Sequence, residues 1–181
     1  MRLTADEYQR TVAGLVGRTI TAIAYFPLMC GEDGLVVDEW DAGAWHEPTM
    51  GVELTTATGE VYSAVWGHSF DYYGLEVFPT PMTAHLRDPG TPGGSARIDV
   101  TDHAQWAGLV GQPVSSSDII WSTEPEAPPT PAAVHLRTTA CQVWIAAGRP
   151  AAWPPNGKFD LHTDDVLVVF DEVLADQIGL V

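Results

Sequence analysis

Basic side chains are scarce in this chain: eight Lys and Arg, with Lys158 the single lysine, stand against 24 Asp and Glu in 181 residues, a formal charge of -16. A surface of that sign repels phosphate backbones, so direct nucleic-acid binding is the first function excluded. Cysteine is almost missing as well. Cys30 and Cys141 lie far apart, and neither belongs to a C-x-x-C or a cysteine/histidine pair, so two reduced thiols are expected rather than a disulfide framework. Long apolar runs are also lacking. The most apolar stretch, Ile20 to Cys30, is interrupted by Pro27 and falls well short of the roughly 20 residues that span a bilayer. Met1 to Gly14 carries Asp6, Glu7 and Arg10 where a signal peptide needs an apolar core, so the cytoplasm is the default location and no membrane partner is expected.

Motifs of named enzyme classes are missing too. Gly67-His68-Ser69-Phe70-Asp71 sets a serine beside a histidine but lacks the second glycine of G-x-S-x-G. Gly90-Thr91-Pro92-Gly93-Gly94-Ser95 lacks the Gly-Lys-Ser/Thr ending of a phosphate loop and has a proline where amides should face phosphate. His46-Glu47, His68 with Asp71, and His162 with Asp164 and Asp165 are local groupings without the spacing of a metalloprotease helix, an EF-hand or a zinc finger. Neither a metal nor a cofactor is expected from them.

What is present is a chain with 45% hydrophobic and 18% charged residues, enough to bury a core without staples. Its most informative feature is self-similarity. Ala13-Gly14-Leu15-Val16-Gly17 recurs as Ala107-Gly108-Leu109-Val110-Gly111, and the matches continue in order. Val52-Glu53-Leu54-Thr55-Thr56-Ala57 is echoed by Val134-His135-Leu136-Arg137-Thr138-Thr139-Ala140, Val61-Tyr62 by Val143-Trp144, and Gly67 by Gly148. Phe70-Asp71 then meets Phe159-Asp160, and Leu75 to Phe78 meets Leu167 to Phe170.

Each copy predicts the same elements. Thr4-Ala5-Asp6-Glu7 has capping-box spacing ahead of a helical face of Ala5, Tyr8, Val12 and Leu15, closed by Gly17. Asp102 to Gln105 predicts a shorter helix with Trp106, Leu109 and Val110 as its apolar residues. Strands follow over Arg18 to Phe26 and Val114 to Trp121, then hairpins over 52–66 and 134–146, then closing strands over 75–78 and 166–170, with a final helical turn within 171–178. The expected fold is α+β and internally duplicated: two related halves, each an N-terminal helix followed by about four mainly antiparallel strands, packed as one unit. Residues 1–78 form the first repeat, 79–100 a Pro/Gly-rich connection and 101–181 the second.

Two sets of residues are candidates for function. The repeat makes Asp71 and Asp160 equivalent, and carboxylates facing each other across a cleft between halves could run acid/base chemistry on a small molecule or sugar; a cap at a strand entry is the plainer role for each. The second set is the segment from Cys30 to Met50, which has no Lys or Arg. It carries Glu32, Asp33, Asp38, Glu39, Asp41 and Glu47 together with Trp40 and Trp45, while Trp66, Trp106, Trp121 and Trp144 fall where core is expected and Trp153 lies in another loop. The charge alone is the background of a GC-rich composition and the tryptophans alone are core-formers. Their coincidence predicts a surface for a basic protein partner, as in an immunity protein that neutralises a toxin enzyme.

Overall fold

A computed structural model describes residues 3–70, 72–87, 89–122 and 128–181. Helix α1 (Ala5–Ala13) opens the chain, held by the capping box: the Thr4 hydroxyl accepts from the Glu7 N–H and the Glu7 carboxylate accepts from the Thr4 N–H. Twelve strands follow among the described residues: β1 (Ile20–Tyr25), β2 (Met29–Cys30), β3 (Val36–Val37), β4 (Trp45–Thr49), β5 (Gly51–Thr56), β6 (Val61–Gly67), β7 (Gly74–Phe78), β8 (Ile98–Asp99), β9 (Ser116–Trp121), β10 (Pro131–Arg137), β11 (Gln142–Pro150) and β12 (Phe159–Val169). Helix α2 (Glu172–Gln177) closes the chain, with Asp171 as its N-cap. The fold is mixed α and β, with antiparallel sheets throughout, and no helix among the described residues is long and apolar enough to cross a membrane.

Two five-stranded sheets, ordered β7-β6-β5-β1-β8 and β4-β12-β11-β10-β9, lie face to face, and β2-β3 forms a small ribbon. Leu54, Tyr62, Leu75 and Val77 of the first sheet meet Val134, Leu136, Ile145 and Val168 of the second in one core, which Tyr8, Val12 and Leu15 of the α1 segment extend. Both outer faces are covered as well. Ala175 and Leu180 from the α2 end lie over Trp144, Leu167 and Val169, while Met82 and Leu86 of the segment after β7 lie over Phe26 and Val65. Burial on both faces accommodates apolar residues at the successive positions 131–134 of β10 and 143–147 of β11.

The expected hairpins are present as β5-β6 and β10-β11: Val52 faces Ala64 and Leu54 faces Tyr62 in the first, and Val134 faces Ile145 and Leu136 faces Val143 in the second, a register one residue shorter relative to the Val61/Val143 correspondence. The expected second helix is not. Residues Ala104–Trp106 make a single 3-10 turn, and hydrogen-bonded turns continue to Gly111. The segment is too short to repay helix nucleation, and Gly108 lies so close to Cys141 that a Cβ there would sit 2.6 Å from the Cys141 Cβ. Strand β4 was also unexpected, and it joins the second sheet although β5 belongs to the first. The chain changes sheets at Met50, between Thr49 with φ 51° and Gly51 with φ 154°, where a Cβ on Gly51 would lie 2.5 Å from the Ala64 carbonyl oxygen.

Candidate functional site

The acidic segment leaves the ribbon β2-β3 and returns through β4. Asp41 pairs with His46 across a tight reversal in which Ala42 N–H donates to the Trp45 carbonyl at 3.1 Å and Glu47 N–H to the Trp40 carbonyl at 2.8 Å. The Asp41 carboxylate holds the turn by accepting the Gly43 N–H at 2.9 Å, and Gly43 supplies the positive φ of 83°. Strand alternation then sends the side chains of β4 to opposite sides. His46 goes fully inward, whereas Glu47 faces the loop after β11.

Two adjoining depressions result. A cleft of about 500 Å³ is lined by Asp38, Glu39, Glu47 and Asp165, with Arg149 and Trp153 at its side. Next to it, a pocket of about 230 Å³ is lined by Glu39, Trp40, Asp41, Trp45 and Trp153. Glu39 and Trp153 belong to both, so the two form one surface. Six of the eight residues expected to meet a partner therefore converge: Asp38, Glu39, Trp40, Asp41, Trp45 and Glu47. Glu32 and Asp33 are exposed on the β2-β3 turn and line neither depression.

The tryptophans depart from expectation. Trp40 and Trp45 are half-buried, Trp40 edge-on to Tyr25 at 5.2 Å and Trp45 edge-on to Phe159 at 5.2 Å, so each gives only part of a ring to the pocket. The free aromatic surface is Trp153, 67% exposed, and aliphatic surface is offered on the ribbon side by Leu35, Val36 and Val37. Asp165 and Arg149 escaped sequence reasoning because they enter from β12 and β11, far along the chain. Arg149 is the cleft's one cation among the described residues, reaching Asp165 at 3.4 Å and Asp164 at 3.6 Å.

One arginine does not neutralise this group. Burial, followed by the charges of Asp165 and Asp38, pushes the Glu47 carboxyl up to about 7, with Arg149 opposing only in part. Burial and Asp164 likewise raise Asp165. Comparison with family models, curated proteins and solved structures finds no match. The chemistry of the site therefore rests on its own geometry.

Behind the pocket lies a polar cluster inside the core. Trp106 Nε1–H donates to the Tyr25 hydroxyl at 2.9 Å, and that hydroxyl is 2.7 Å from His46 Nδ1. His46 Nε2 and His103 Nε2 approach the two oxygens of Asp41 at 3.3 and 3.2 Å. Burial, more than any charge, lowers His46 to about 4, and the Gly43 N–H first, then His103, hold Asp41 below its ordinary value. His68 and His162 stand elsewhere: the His68 ring is tilted against Tyr73 with centroids 4.0 Å apart, and His162 Nδ1 lies 2.9 Å from the Tyr73 carbonyl. Asp160 is exposed in β12 opposite Arg149 of β11, so it is a strand residue and not the cap at a strand entry. Asp71 lies outside the described residues.

Proposed function

We propose that the chain is a non-catalytic binding protein whose acidic cleft and tryptophan pocket receive a basic protein, in the manner of an inhibitor that neutralises a toxin enzyme. The observation that supports this reading is the uncompensated charge: Glu47 and Asp165 are partly withdrawn from water, and Asp38 and Glu39 join them against Arg149 alone. A carboxylate held in that state is relieved by an arriving cation. A lysine or arginine entering the cleft gains ion pairs with Glu47 and Asp165 and a ring face on Trp153, with Leu28 as apolar lining. The field speeds encounter and the aromatic contacts slow release.

The test uses a fixed arginine-rich peptide and an acidic control peptide, followed by tryptophan fluorescence at low and high salt. Saturable binding of the basic peptide should weaken with salt and fall by about tenfold in Trp153→Ala and more in the Asp38→Lys, Glu39→Lys pair. Equal binding of both peptides, or unchanged binding by the variants, refutes the reading. A cavity of about 440 Å³ on the outer face of the first sheet, where Val65, Trp66 and Phe78 stand beside Glu76, His85 and Arg87, favours the alternative of a small neutral molecule. Such a ligand would be indifferent to salt.

We also infer that the two halves descend from one unit. The orders β1-β5-β6-β7 and β9-β10-β11-β12 are the same meander, and Gly17 and Gly111 share a φ near +80° (80° and 78°). The bonds between them are reciprocal: Gly17 N–H donates to the Val114 carbonyl and Gly111 N–H to the Ile20 carbonyl, each at 2.8 Å, around the Thr19–Pro113 bridge. Equivalent residues bonding each other is the pattern of a twofold relation.

A further inference from the structure

The cluster behind the pocket has one feature that hydrogen bonding leaves unexplained. His46 is completely buried, and its Nε2 has no hydrogen bond of acceptable geometry although Asp41 Oδ1 is 3.3 Å away. His103 Nε2 reaches the other Asp41 oxygen at 3.2 Å, and one ligand atom from each of the three residues lies within 4.8 Å of the others. Charge-assisted N–H···O bonds are normally about 2.7–2.9 Å. Ligand atoms sharing a tetrahedral zinc at about 2.0–2.1 Å are separated by about 3.3 Å, the tetrahedron edge. We propose that Asp41, His46 and His103 form a binding site for a zinc-like divalent cation, with water as the fourth ligand.

The surroundings have the form that such a site needs. Two imidazoles and one carboxylate suit a first-row cation of borderline softness and not calcium or magnesium, which require an oxygen cage. The Tyr25 hydroxyl, fixed by Trp106, stands 2.7 Å from His46 Nδ1 and sets the ring's direction. Asp41 is pinned by the Gly43 N–H, and Gln105 Nε2 ties the same turn to the His103 segment by donating to the Gly43 carbonyl. The Asp41 side chain is 44% exposed and opens on the tryptophan pocket, which leaves room for the water.

Hydrogen placement makes the proposal discriminating. Without metal, His103 Nδ1 accepts the Gln105 N–H at 3.3 Å, so its proton is on Nε2, and Tyr25 can donate to His46 Nδ1, leaving the His46 proton on Nε2. Metal ligation through Nε2 moves both protons to Nδ1. His46 then donates to the Tyr25 oxygen, which has a second lone pair beside the one facing Trp106, and His103 gives up its long contact with Gln105.

The experiment titrates Zn(II) alone into chelator-treated protein by calorimetry, with Co(II) as a spectroscopic substitute and 15N spectra of the histidine rings. Expected are one tight equivalent, a tetrahedral cobalt absorption, and a switch of His46 and His103 from the Nε2–H to the Nδ1–H form. His103→Gln and Asp41→Asn, at the less buried ligands, should each lower affinity by about tenfold or more while keeping the far-ultraviolet dichroism of the native chain. Absence of a saturable single equivalent overturns the proposal. So does zinc binding that leaves both histidine spectra unmoved or that persists in the two variants, since the ion would then sit on the acidic surface.

Discussion

Replacing Glu47 with glutamine should stabilise the protein at pH 8 and leave it unchanged near pH 4.5. The carboxyl is raised from 4.5 to about 7 in the folded chain, by burial first and then by Asp165 and Asp38, with Arg149 acting the other way. A raised folded-state value means that the proton is held more tightly folded than unfolded, so the associated stability is complete below about 4.5 and is lost as pH rises through about 7. At about 1.4 kcal/mol per unit the shift sets a ceiling of about 3 kcal/mol; the open side of the cleft admits solvent and reduces this to about 1–2 kcal/mol. Urea denaturation followed by tryptophan fluorescence across pH 4.5 to 8 measures it. Wild-type stability should carry a component that declines over this range, and Glu47→Gln should remove that component. The Asp165→Asn variant should act in the same sense, and the double variant should gain less than the sum because each carboxylate repels the other. A difference between wild type and Glu47→Gln that stays constant with pH, or a variant less stable at pH 8, would refute the account of the cleft as strained by its own charge.

Two further outcomes are expected. Thr4→Ala removes the oxygen that accepts the Glu7 N–H and should cost about 1 kcal/mol by the same denaturation assay, with Glu7→Gln costing less because glutamine can still reach back. Thiol titration should find Cys30, exposed at the ribbon, reacting in the native protein, and Cys141, half-buried against Thr138, reacting fully only after unfolding; equal native rates would contradict the packing around Cys141.

The hairpins were legible because alternation around Ala57-Thr58-Gly59 and its echo is a local signal, and α1 was legible because its cap and its apolar face are both written within Thr4 to Leu15. Strand β4 was not. Pro48 falls inside it, which argues against a central strand, but β4 lies at the edge of its sheet, where a missing N–H is tolerated. Four of the six acids singled out by their lack of basic neighbours line the two depressions, while the half-burial of Trp40 and Trp45 depends on Tyr25 and Phe159, partners that no local pattern names. The meeting of His46 with His103 was invisible for the same reason: it arises only when β4 pairs with β12, far along the chain, and the 3-10 turn that His103 caps folds against it.

The change of sheet at Met50 has a mechanical consequence. Strands β4 and β5 are separated by one residue yet belong to opposite layers, and Met50 N–H bonds to the Phe26 carbonyl while Phe26 N–H bonds to the Gly51 carbonyl, so the crossing is fastened to the residue that follows β1. That one residue thus anchors the point where the edge strand of the second sheet ends. Glu47 lies three residues from this anchor, on a strand paired directly with the β12 of Asp165, so a guest in the cleft meets carboxylates carried by adjacent strands of one sheet, and little backbone ordering entropy is left to be lost when it docks.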